Sequence, residues 1–286
     1  MCAVGSEPAD LSRRVIKGFG EEWSRFTNQT LSDHELREMF ELYTSVFPWR
    51  DLPENAVGFD AGCGSGRWAA FFAPRVGLLH CIDASDAALE IARRTLAGNR
   101  NVVFHHQDIC ELELPAGSCD FGYSLGVLHH IPDTELATAL CVEKLKPGAP
   151  FLVYLYYDLE DRGRLHKWVL RIVTAVRYVI SRLPRVLRSI VADVIAAFVY
   201  WPLANLARCL DWAGRNSSWV PLFQYRRRSF YVMRNDALDR FGTRLEKRYS
   251  RQDVLLLLEG AGLENVVFAD GPPWWVAVGW RCQDSQ

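Results

Sequence analysis

The sequence predicts an α/β protein with a doubly wound sheet, and three observations support this fold class. Apolar strand-like runs alternate with helix-like segments from residue 56 onward, as in strands joined by helical crossovers. The first three runs each end in an aspartate: Asp60, Asp83 and Asp108. Three glycines at alternate positions follow the first run: Gly62, Gly64 and Gly66. A strand, a glycine loop and a helix N-terminus form a junction that can hold a small ligand.

Size and composition narrow the possible classes of protein. The 286 residues suffice for one large domain with a sizeable insertion. A formal charge of −1 and 49% hydrophobic residues are typical of an ordinary globular protein and argue against a uniformly basic nucleic-acid binder. The eight cysteines are scattered without a C-x-x-C pair, which predicts reduced thiols and no metal site. No secretory signal is evident at the N-terminus, so a cytoplasmic protein is expected.

The elements are predicted in chain order from apolar periodicity and helix caps. A capping box of Ser32 and Glu35 begins an N-terminal helix. The first five strands are expected at residues 56–60, 78–83, 102–108, 120–126 and 150–158. Helices are expected after Gly66 and over residues 86–97 and 134–145.

The last part of the chain completes the sheet after a long interval. Ser250 and Asp253 form a second capping box, which begins the final helix. Residues 263–269 and 274–280 are expected to form an antiparallel pair of strands. Residues 159–248 are therefore inserted between strand five and the final helix.

The spacing of the glycines separates two ligand classes. A dinucleotide-binding loop has G-x-G-x-x-G, but here Arg67 stands where its third glycine should be. Asp60, two residues before Gly62, would repel a pyrophosphate and suits a ligand that carries an ammonium group. The D-x-G-x-G-x-G pattern resembles the first motif of class I S-adenosylmethionine (SAM)-dependent methyltransferases. That resemblance implies a Rossmann-like sheet with strand order 3-2-1-4-5-7-6, its last strand antiparallel.

The resemblance also implies which residues hold SAM. Asp83 closes strand two, where an acidic residue accepts hydrogen bonds from ribose hydroxyls. The alternative for Asp83 is a helix N-cap, a role that Ser85 or Asp86 could fill instead. Asp108 closes strand three and matches the acid on the adenine side. The full set of predicted SAM-binding residues is Asp60, Gly62, Gly64, Gly66, Asp83, Ala84, Asp108, Ile109 and Leu125.

The stretch after strand four indicates the branch of the family. Residues 127–133 resemble the fourth motif of the small-molecule branch, which includes quinone-biosynthesis methyltransferases. The Asn/Asp-Pro-Pro-aromatic motif of enzymes that methylate nucleic-acid bases is absent here, as are the paired glutamates of arginine methyltransferases. The expected acceptor is a small molecule, with no nucleic-acid partner.

Candidate catalytic residues follow strands four and five, at the edge of the sheet where ligands bind. Methyl transfer is an in-line displacement, so the protein mainly positions the reactants, but a hydroxyl or carbon acceptor also needs a base. His129 is the first choice because a histidine titrates near neutral pH. Tyr154 and Asp158 are the further candidates. His130, Asp133 and Tyr156 lie at the same edge and remain alternatives.

The predicted domain division sets the N-terminal residues and the insertion apart. Residues 1–50 form a helical segment whose Phe19, Trp23 and Phe26 either cover the SAM site as a lid or pack in the core. Residues 51–158 and 249–286 form the SAM-binding domain. Residues 159–248 form a helical cap over the substrate site.

The sequence of the insertion is also compatible with a contact to a membrane. Residues 162–192 hold eight basic residues and no acidic one, with apolar residues at helical spacing. The alternatives are a buried cap or a peripheral membrane contact through residues 162–207. A true span is disfavoured by Asp193, Pro202 and Asn205.

The arginines at 226–228 and the segment 239–246 are the last signals in the insertion. The three arginines lie between Tyr225 and Phe230-Tyr231 and suit either an anionic or lipid-linked acceptor or a solvated surface. Residues 239–246 are expected to return to the active site near strand five. The leading hypothesis is a SAM-dependent methyltransferase that is O- or C-directed. The alternatives are a peripheral membrane protein that uses a SAM fold for binding or regulation and, more weakly, a nicotinamide dehydrogenase.

Overall fold

The computed structural model describes residues 33–158 and 164–283, with the backbone alone for residues 164–170. Seven strands form one sheet in the order β3-β2-β1-β4-β5-β7-β6, and β7 runs antiparallel to both neighbours. Their bounds are β1 Val57–Ala61, β2 Leu78–Asp83, β3 Val102–His106, β4 Phe121–Leu125, β5 Pro150–Tyr154, β6 Leu263–Phe268 and β7 Val276–Arg281. The predicted fold class and strand order are confirmed.

The helices in the described residues alternate with the first five strands and then fill the insertion. Those outside the insertion are α1 Asp33–Tyr43, α2 Ala69–Phe72, α3 Asp86–Thr95, α4 Thr134–Lys144 and α9 Arg251–Gly260. Those of the insertion are α5 Arg164–Ile180, α6 Arg185–Ile195, α7 Trp201–Trp212 and α8 Phe230–Gly242. A π turn, Ala196–Tyr200, joins α6 to α7 without a break. The predicted helical insertion between strand five and the final helix is confirmed.

Two glycines let the central strands lie under bulky rings. Gly58 of β1 is in register with Phe121 of β4, and Phe59 of β1 is in register with Gly122 of β4. A Cβ on Gly58 would lie 2.1 Å from the Phe121 ring, and one on Gly122 would lie 2.3 Å from the Phe59 ring. Each buried phenylalanine therefore occupies the space that a facing glycine leaves empty. Burial of each ring is worth about 1.5–3 kcal/mol.

Several element boundaries differ from the sequence prediction. β3 ends at His106 rather than residue 108, because the Asp108 carboxylate accepts a hydrogen bond from Cys110 N and begins a 3₁₀ turn. β5 ends at Tyr154, and Tyr157 then bridges to Tyr249. The capping box of Ser250 and Asp253 is present. Ser32 and the proposed lid residues Phe19, Trp23 and Phe26 lie outside the described residues.

Two compact units are distinguished within the described residues. One consists of residues 38–158 and 245–283 and contains the sheet; the other consists of residues 33–37 and 164–244. Within the second unit, α6 is tied to α8 by a two-point ion pair between Asp193 and Arg234, with N–O distances of 2.9 and 3.0 Å. The Tyr200 hydroxyl also donates to Asp236 of α8 at 2.7 Å. These bonds fix which side of α6 faces the interior of its unit.

Candidate active site

The glycine loop between β1 and α2 has the backbone that its residues predict. Gly62, Gly64 and Gly66 all have positive φ, at 85°, 54° and 74°. Residues with a Cβ rarely adopt this left-handed conformation. At Gly62 a Cβ would also lie 2.5 Å from Val127 Cγ1. The loop therefore packs directly on the turn that follows β4, and only glycine fits there.

Asp83 holds the glycine loop as well as closing β2. Its Oδ2 accepts a hydrogen bond from Gly64 N at 2.8 Å, and its Oδ1 accepts one from Ser85 N at 2.8 Å. Burial raises the pKa of this carboxyl, while the two backbone donors act in the opposite direction. The N-cap of α3 is Ser85, whose side chain accepts from Ala88 N. Asp83 is thus not the helix cap, and its carboxylate lies beside the loop.

Asp60, at the end of β1, is a buried carboxyl. Only 2% of the residue is exposed, and desolvation raises its pKa to about 8, with a smaller contribution from the charge of Asp83. The Tyr123 hydroxyl faces it and partly offsets this rise. Nevertheless, Asp60 Oδ2 completes no hydrogen bond of good geometry within the described residues. A buried acceptor without a donor is expensive, and a ligand that brings a positive donor would satisfy it.

The remaining predicted SAM-binding residues lie along the same edge. Ala84 follows Asp83, and its carbonyl contacts His106 Nε2 at 3.1 Å. Asp108 caps the turn that contains the buried Ile109. Leu125 is the last residue of β4 and is buried. These residues end or follow β2, β3 and β4, which run parallel in the sheet, so the topology brings them to one edge.

His129 lies in the 3₁₀ turn after β4, two residues beyond the valine that packs on Gly62. The imidazole is fully buried and stacks on the Tyr156 ring, with centroids 3.9 Å apart and planes 29° apart. Tyr154 meets Tyr156 edge-on at 5.7 Å and His129 at 6.4 Å. Tyr43 of α1 contacts the Tyr154 ring at 4.8 Å. His129 and Tyr154 are thus brought together in one aromatic cluster beside the glycine loop.

The other candidates after strands four and five are placed differently. Asp158 lies beyond the aromatic cluster along the chain, where its backbone N–H donates to Tyr249 O at 3.2 Å. The Asp133 carboxylate caps α4 by accepting from Leu136 N. His130 Nδ1 contacts Leu245 O at 2.7 Å. Asp133 and His130 therefore have local structural partners.

A strap formed by residues 245–249 crosses the edge of the sheet next to this cluster. Lys247 N donates to His129 O at 2.9 Å, and Tyr249 N donates to Tyr156 O at 2.8 Å. The strap therefore joins the turn after β4 to the chain after β5. The sequence analysis predicted that residues 239–246 return to this edge. It did not identify residues 245–249 as the segment that holds the turn after β4 and the chain after β5 together.

Side chains of the strap reach the start of α4. Lys247 Nζ donates to Pro132 O at 2.7 Å and to Thr134 Oγ1 at 3.2 Å. The Tyr249 hydroxyl lies 3.0 Å from the same threonine oxygen. Sequence reasoning missed these residues because they lie more than a hundred positions from their partners. A lysine and a tyrosine in a short polar segment carry no signal of their own.

One of the three consecutive arginines at 226–228 bonds to residues of its own segment. Arg226 forms an ion pair with Asp211, and its Nη1 donates to Phe223 O. Hydrogen bonds from Ser217 and then Arg226 lower the pKa of Asp211. Arg227 is exposed. Arg226 therefore helps to hold its own unit together, and the choice between an anionic acceptor and a solvated surface stays a prediction.

The residues at the sheet edge fit SAM as a ligand. The glycine loop presents backbone without side chains, the Asp83 carboxylate lies beside it, and the buried Asp60 oxygen lacks a donor. No group of three or more histidine, cysteine or acidic side chains in the described residues could hold a metal ion. The chemistry of the edge therefore suits an organic ligand with a cationic group and hydroxyls.

Comparisons with known proteins agree with this arrangement. The family described as "Methyltransferase domain" matches residues 59–148, from β1 to the end of the turn after α4. A ubiquinone biosynthesis O-methyltransferase of Aromatoleum aromaticum is 26% identical over 187 residues, which cover 64% of this chain and 74% of that protein. An uncharacterized methyltransferase of Mycobacterium tuberculosis is 33% identical over 113 residues, which cover 38% of this chain and 57% of that protein.

A solved structure shares the fold over nearly the whole chain. It is a phosphoethanolamine N-methyltransferase of Haemonchus contortus in complex with phosphomonomethylethanolamine and S-adenosylhomocysteine. The TM-score is 0.50 at 17% identity, and the match covers 93% of this chain and 47% of that one. The motif, the topology and the family match lead to one conclusion. This chain contains a class I SAM-dependent methyltransferase domain, which the family model matches over residues 59–148, and SAM is its cofactor.

Proposed function

We propose that the protein transfers the methyl group of SAM to a hydroxyl group of a small acceptor that carries an aromatic or quinone-like ring. The observation that carries the proposal is the His129 imidazole stacked on Tyr156, in the turn that packs against the glycine loop. The similarity to ubiquinone biosynthesis O-methyltransferases supports the same class of acceptor. Methylation of an acidic carbon is the alternative within this chemistry.

The residues of the chain have separable roles in this proposal. Bound SAM supplies a methyl group that its sulfonium has already activated. The glycine loop and Asp83 hold the donor, with Asp60, Ala84, Asp108, Ile109 and Leu125 completing its site. His129 takes the proton from the acceptor hydroxyl, since a histidine can be neutral and basic near pH 7.

The tyrosines and the strap are proposed to position the acceptor and the base. Tyr154 and Tyr156 offer ring faces and hydroxyls against which an aromatic acceptor can stack. Lys247 N fixes the His129 carbonyl, so the strap limits movement of the imidazole. Asp158 remains a proposed catalytic residue at the far end of the strap. An anionic or lipid-linked acceptor is an extension of the proposal that rests on the basic insertion.

The decisive experiment compares acceptors and a base variant. The wild-type protein with SAM is expected to methylate catechol- or quinol-type acceptors and to leave amine acceptors such as phosphoethanolamine unmodified. His129→Gln is expected to lower kcat by roughly 10²–10⁴-fold, the usual contribution of a general base, and to remove the histidine limb of the pH–rate profile. SAM affinity, measured by isothermal titration calorimetry, should stay unchanged.

The matched control is His34→Gln, an exposed histidine on α1. It is expected to leave kcat, the pH profile and SAM affinity at wild-type values. Equal activity of His129→Gln and wild type would exclude the imidazole as the base. Transfer to amines but not to hydroxyls would exclude O-methylation, whereas transfer to a ring carbon would establish the alternative.

A further inference from the structure

A continuous helix from Arg185 to Trp212 is apolar on both of its sides. Small residues and one tyrosine, spaced four or three apart, make its buried side: Ala192, Ala196, Tyr200, Ala204 and Ala207. Larger apolar residues at the same spacing make an exposed side: Val186, Ile190, Val194, Phe198 and Trp201. A surface helix of a globular protein normally presents polar residues to water. This exposed side, called the apolar stripe below, therefore requires an apolar neighbour.

More exposed apolar residues belong to the same unit. On α5, which packs on α8 as α6 does, the exposed residues include Ile172, Val176, Tyr178 and Val179. Beyond the stripe, Trp212 is 96% exposed and Trp219 is 62% exposed. A single exposed apolar residue needs no explanation, but a concentration of them in one unit marks an interaction surface. Tryptophan is also the residue type enriched where protein meets a membrane–water interface.

The charge of the insertion indicates what this neighbour is. Residues 162–244 hold sixteen arginines and lysines and four aspartates, a formal charge of +12, whereas the whole chain has −1. Three of the aspartates already form ion pairs with arginines of the same segment: Asp193 with Arg234, Asp211 with Arg226 and Asp236 with Arg240. Exposed arginines also flank the stripe, Arg182 and Arg185 before it and Arg208 and Arg215 after it.

We propose that the apolar stripe docks on the surface of an anionic lipid bilayer, with the helix lying in the plane of the interface. Apolar burial and attraction between arginines and lipid phosphates would act together, as in other basic amphipathic helices. A second copy of the chain would carry the same +12 insertion, so charge opposes self-association through this surface. The proposal concerns the insertion and does not depend on the acceptor proposed above.

The helix is long and apolar enough to cross a membrane by length and composition alone. Its contacts favour the surface orientation instead. Asp193 and Tyr200 bind Arg234 and Asp236 of α8 on the side away from the stripe. A spanning helix would carry these charged partners into the hydrocarbon core, which is strongly unfavourable. Residues 185–212 therefore fit the interface better than the bilayer interior.

The test is flotation of the full-length protein with vesicles of two compositions. The wild type is expected to float with mixed phosphatidylcholine–phosphatidylglycerol vesicles, much less with phosphatidylcholine alone, and less as salt is raised, because salt screens the arginines. The double variant Phe198→Ser with Trp201→Ser is expected to lower the vesicle partition coefficient by roughly tenfold or more. An alkaline carbonate wash should release the bound wild-type protein.

The matched control is Leu136→Ser with Leu256→Ser, which removes two exposed leucines of α4 and α9 outside the insertion. It should float like the wild type, and circular dichroism should show both double variants folded. Three results would overturn the proposal: no flotation with either vesicle, equal flotation of the stripe variant, or resistance to the carbonate wash. A dimer in analytical ultracentrifugation that the stripe variant disrupts would assign the surface to a second copy instead.

Discussion

The carboxyl edge of the sheet and the apolar stripe of the insertion differ in which unusual residue they contain. The sheet edge buries a polar group, whereas the stripe exposes apolar side chains to water. At the sheet edge a carboxyl group, Asp60, is 2% exposed, whereas in the stripe a phenylalanine, Phe198, is 77% exposed. A buried acceptor without a donor indicates a ligand that supplies one. An exposed apolar side chain at helical spacing indicates a surface that covers it. The buried carboxyl and the exposed ring thus each indicate the kind of partner that would satisfy them.

The two regions also differ in their cysteines. The seven cysteines of the described residues are free; six of them lie in the sheet unit, and Cys209 lies exposed in the insertion. A hydrogen bond with Cys81 and then burial raise the pKa of the Cys63 thiol, and burial raises the pKa of the Cys119 thiol, which favours their protonated forms. We propose a cytoplasmic location, at the membrane surface when the stripe is docked.

The largest expected effect comes from Gly62→Ala, and Gly214→Ala in the insertion is its control. Both glycines have positive φ, but only Gly62 has a side chain, Val127, in the space of a Cβ. Gly62→Ala should lower the free energy of unfolding by about 2–4 kcal/mol through strain and overpacking. Gly214→Ala should cost about 1–2 kcal/mol through strain alone. Urea unfolding compares them, and equal losses would show that crowding at the loop is unimportant.

The next effect concerns SAM affinity, with one aspartate chosen from each region. Asp83→Ala removes the acceptor of Gly64 N and Ser85 N and should weaken SAM binding by about 1–3 kcal/mol. Asp193→Ala removes the partner of Arg234 in the insertion and should leave SAM affinity unchanged. Isothermal titration calorimetry with SAM measures both. Unchanged affinity in Asp83→Ala would remove Asp83 from the cofactor site.

The third comparison concerns how stability depends on pH rather than stability at one pH. The pKa of Asp60 is raised to about 8, so its neutral form is favoured in the fold, and that stabilisation is complete below about pH 4 and lost as pH rises through about 8. The ligand-free protein should lose about 1.4 kcal/mol per pH unit between about pH 5 and pH 8 from this group. Asp60→Asn should remove that slope in urea unfolding.

Asp211 gives the opposite sign in the insertion. Its pKa is lowered by Ser217 and Arg226, so its stabilising contribution is present above the pKa of the unfolded chain and is lost as pH falls through the folded value. Asp211→Asn should therefore lower stability near neutral pH, and the difference from the wild type should disappear as pH falls through the folded pKa of Asp211. For the Asp60 prediction, the contrary result is a stability that falls more steeply with rising pH in Asp60→Asn than in the wild type. That result would contradict the burial of a neutral Asp60 carboxyl.

Much of the fold could be predicted because its signals are local. The glycine loop, the capping box at Ser250 and the aspartates that close β1 and β2 each depend on a few neighbouring residues. The strand order was predicted from the resemblance of these motifs to those of class I SAM-dependent methyltransferases. The ends of β3 and β5 were less accurate, because Asp108 starts a turn and Tyr157 pairs only with the distant Tyr249.

Local sequence signals were enough to predict the glycine loop and the strand ends beside it, because backbone conformation depends on residues close in the chain. Long-range packing determined which side chains meet at that edge. The strap residue Lys247 reaches His129 and Thr134 across more than a hundred positions, and the His129 ring finds Tyr156 on another strand end. The sequence also did not determine which apolar residues of helix 185–212 face the interior of their unit and which face solvent. Apolar residues lie on both sides of that helix, so their spacing does not tell the buried side from the exposed one. The packing of Asp193 and Tyr200 against α8 decides it.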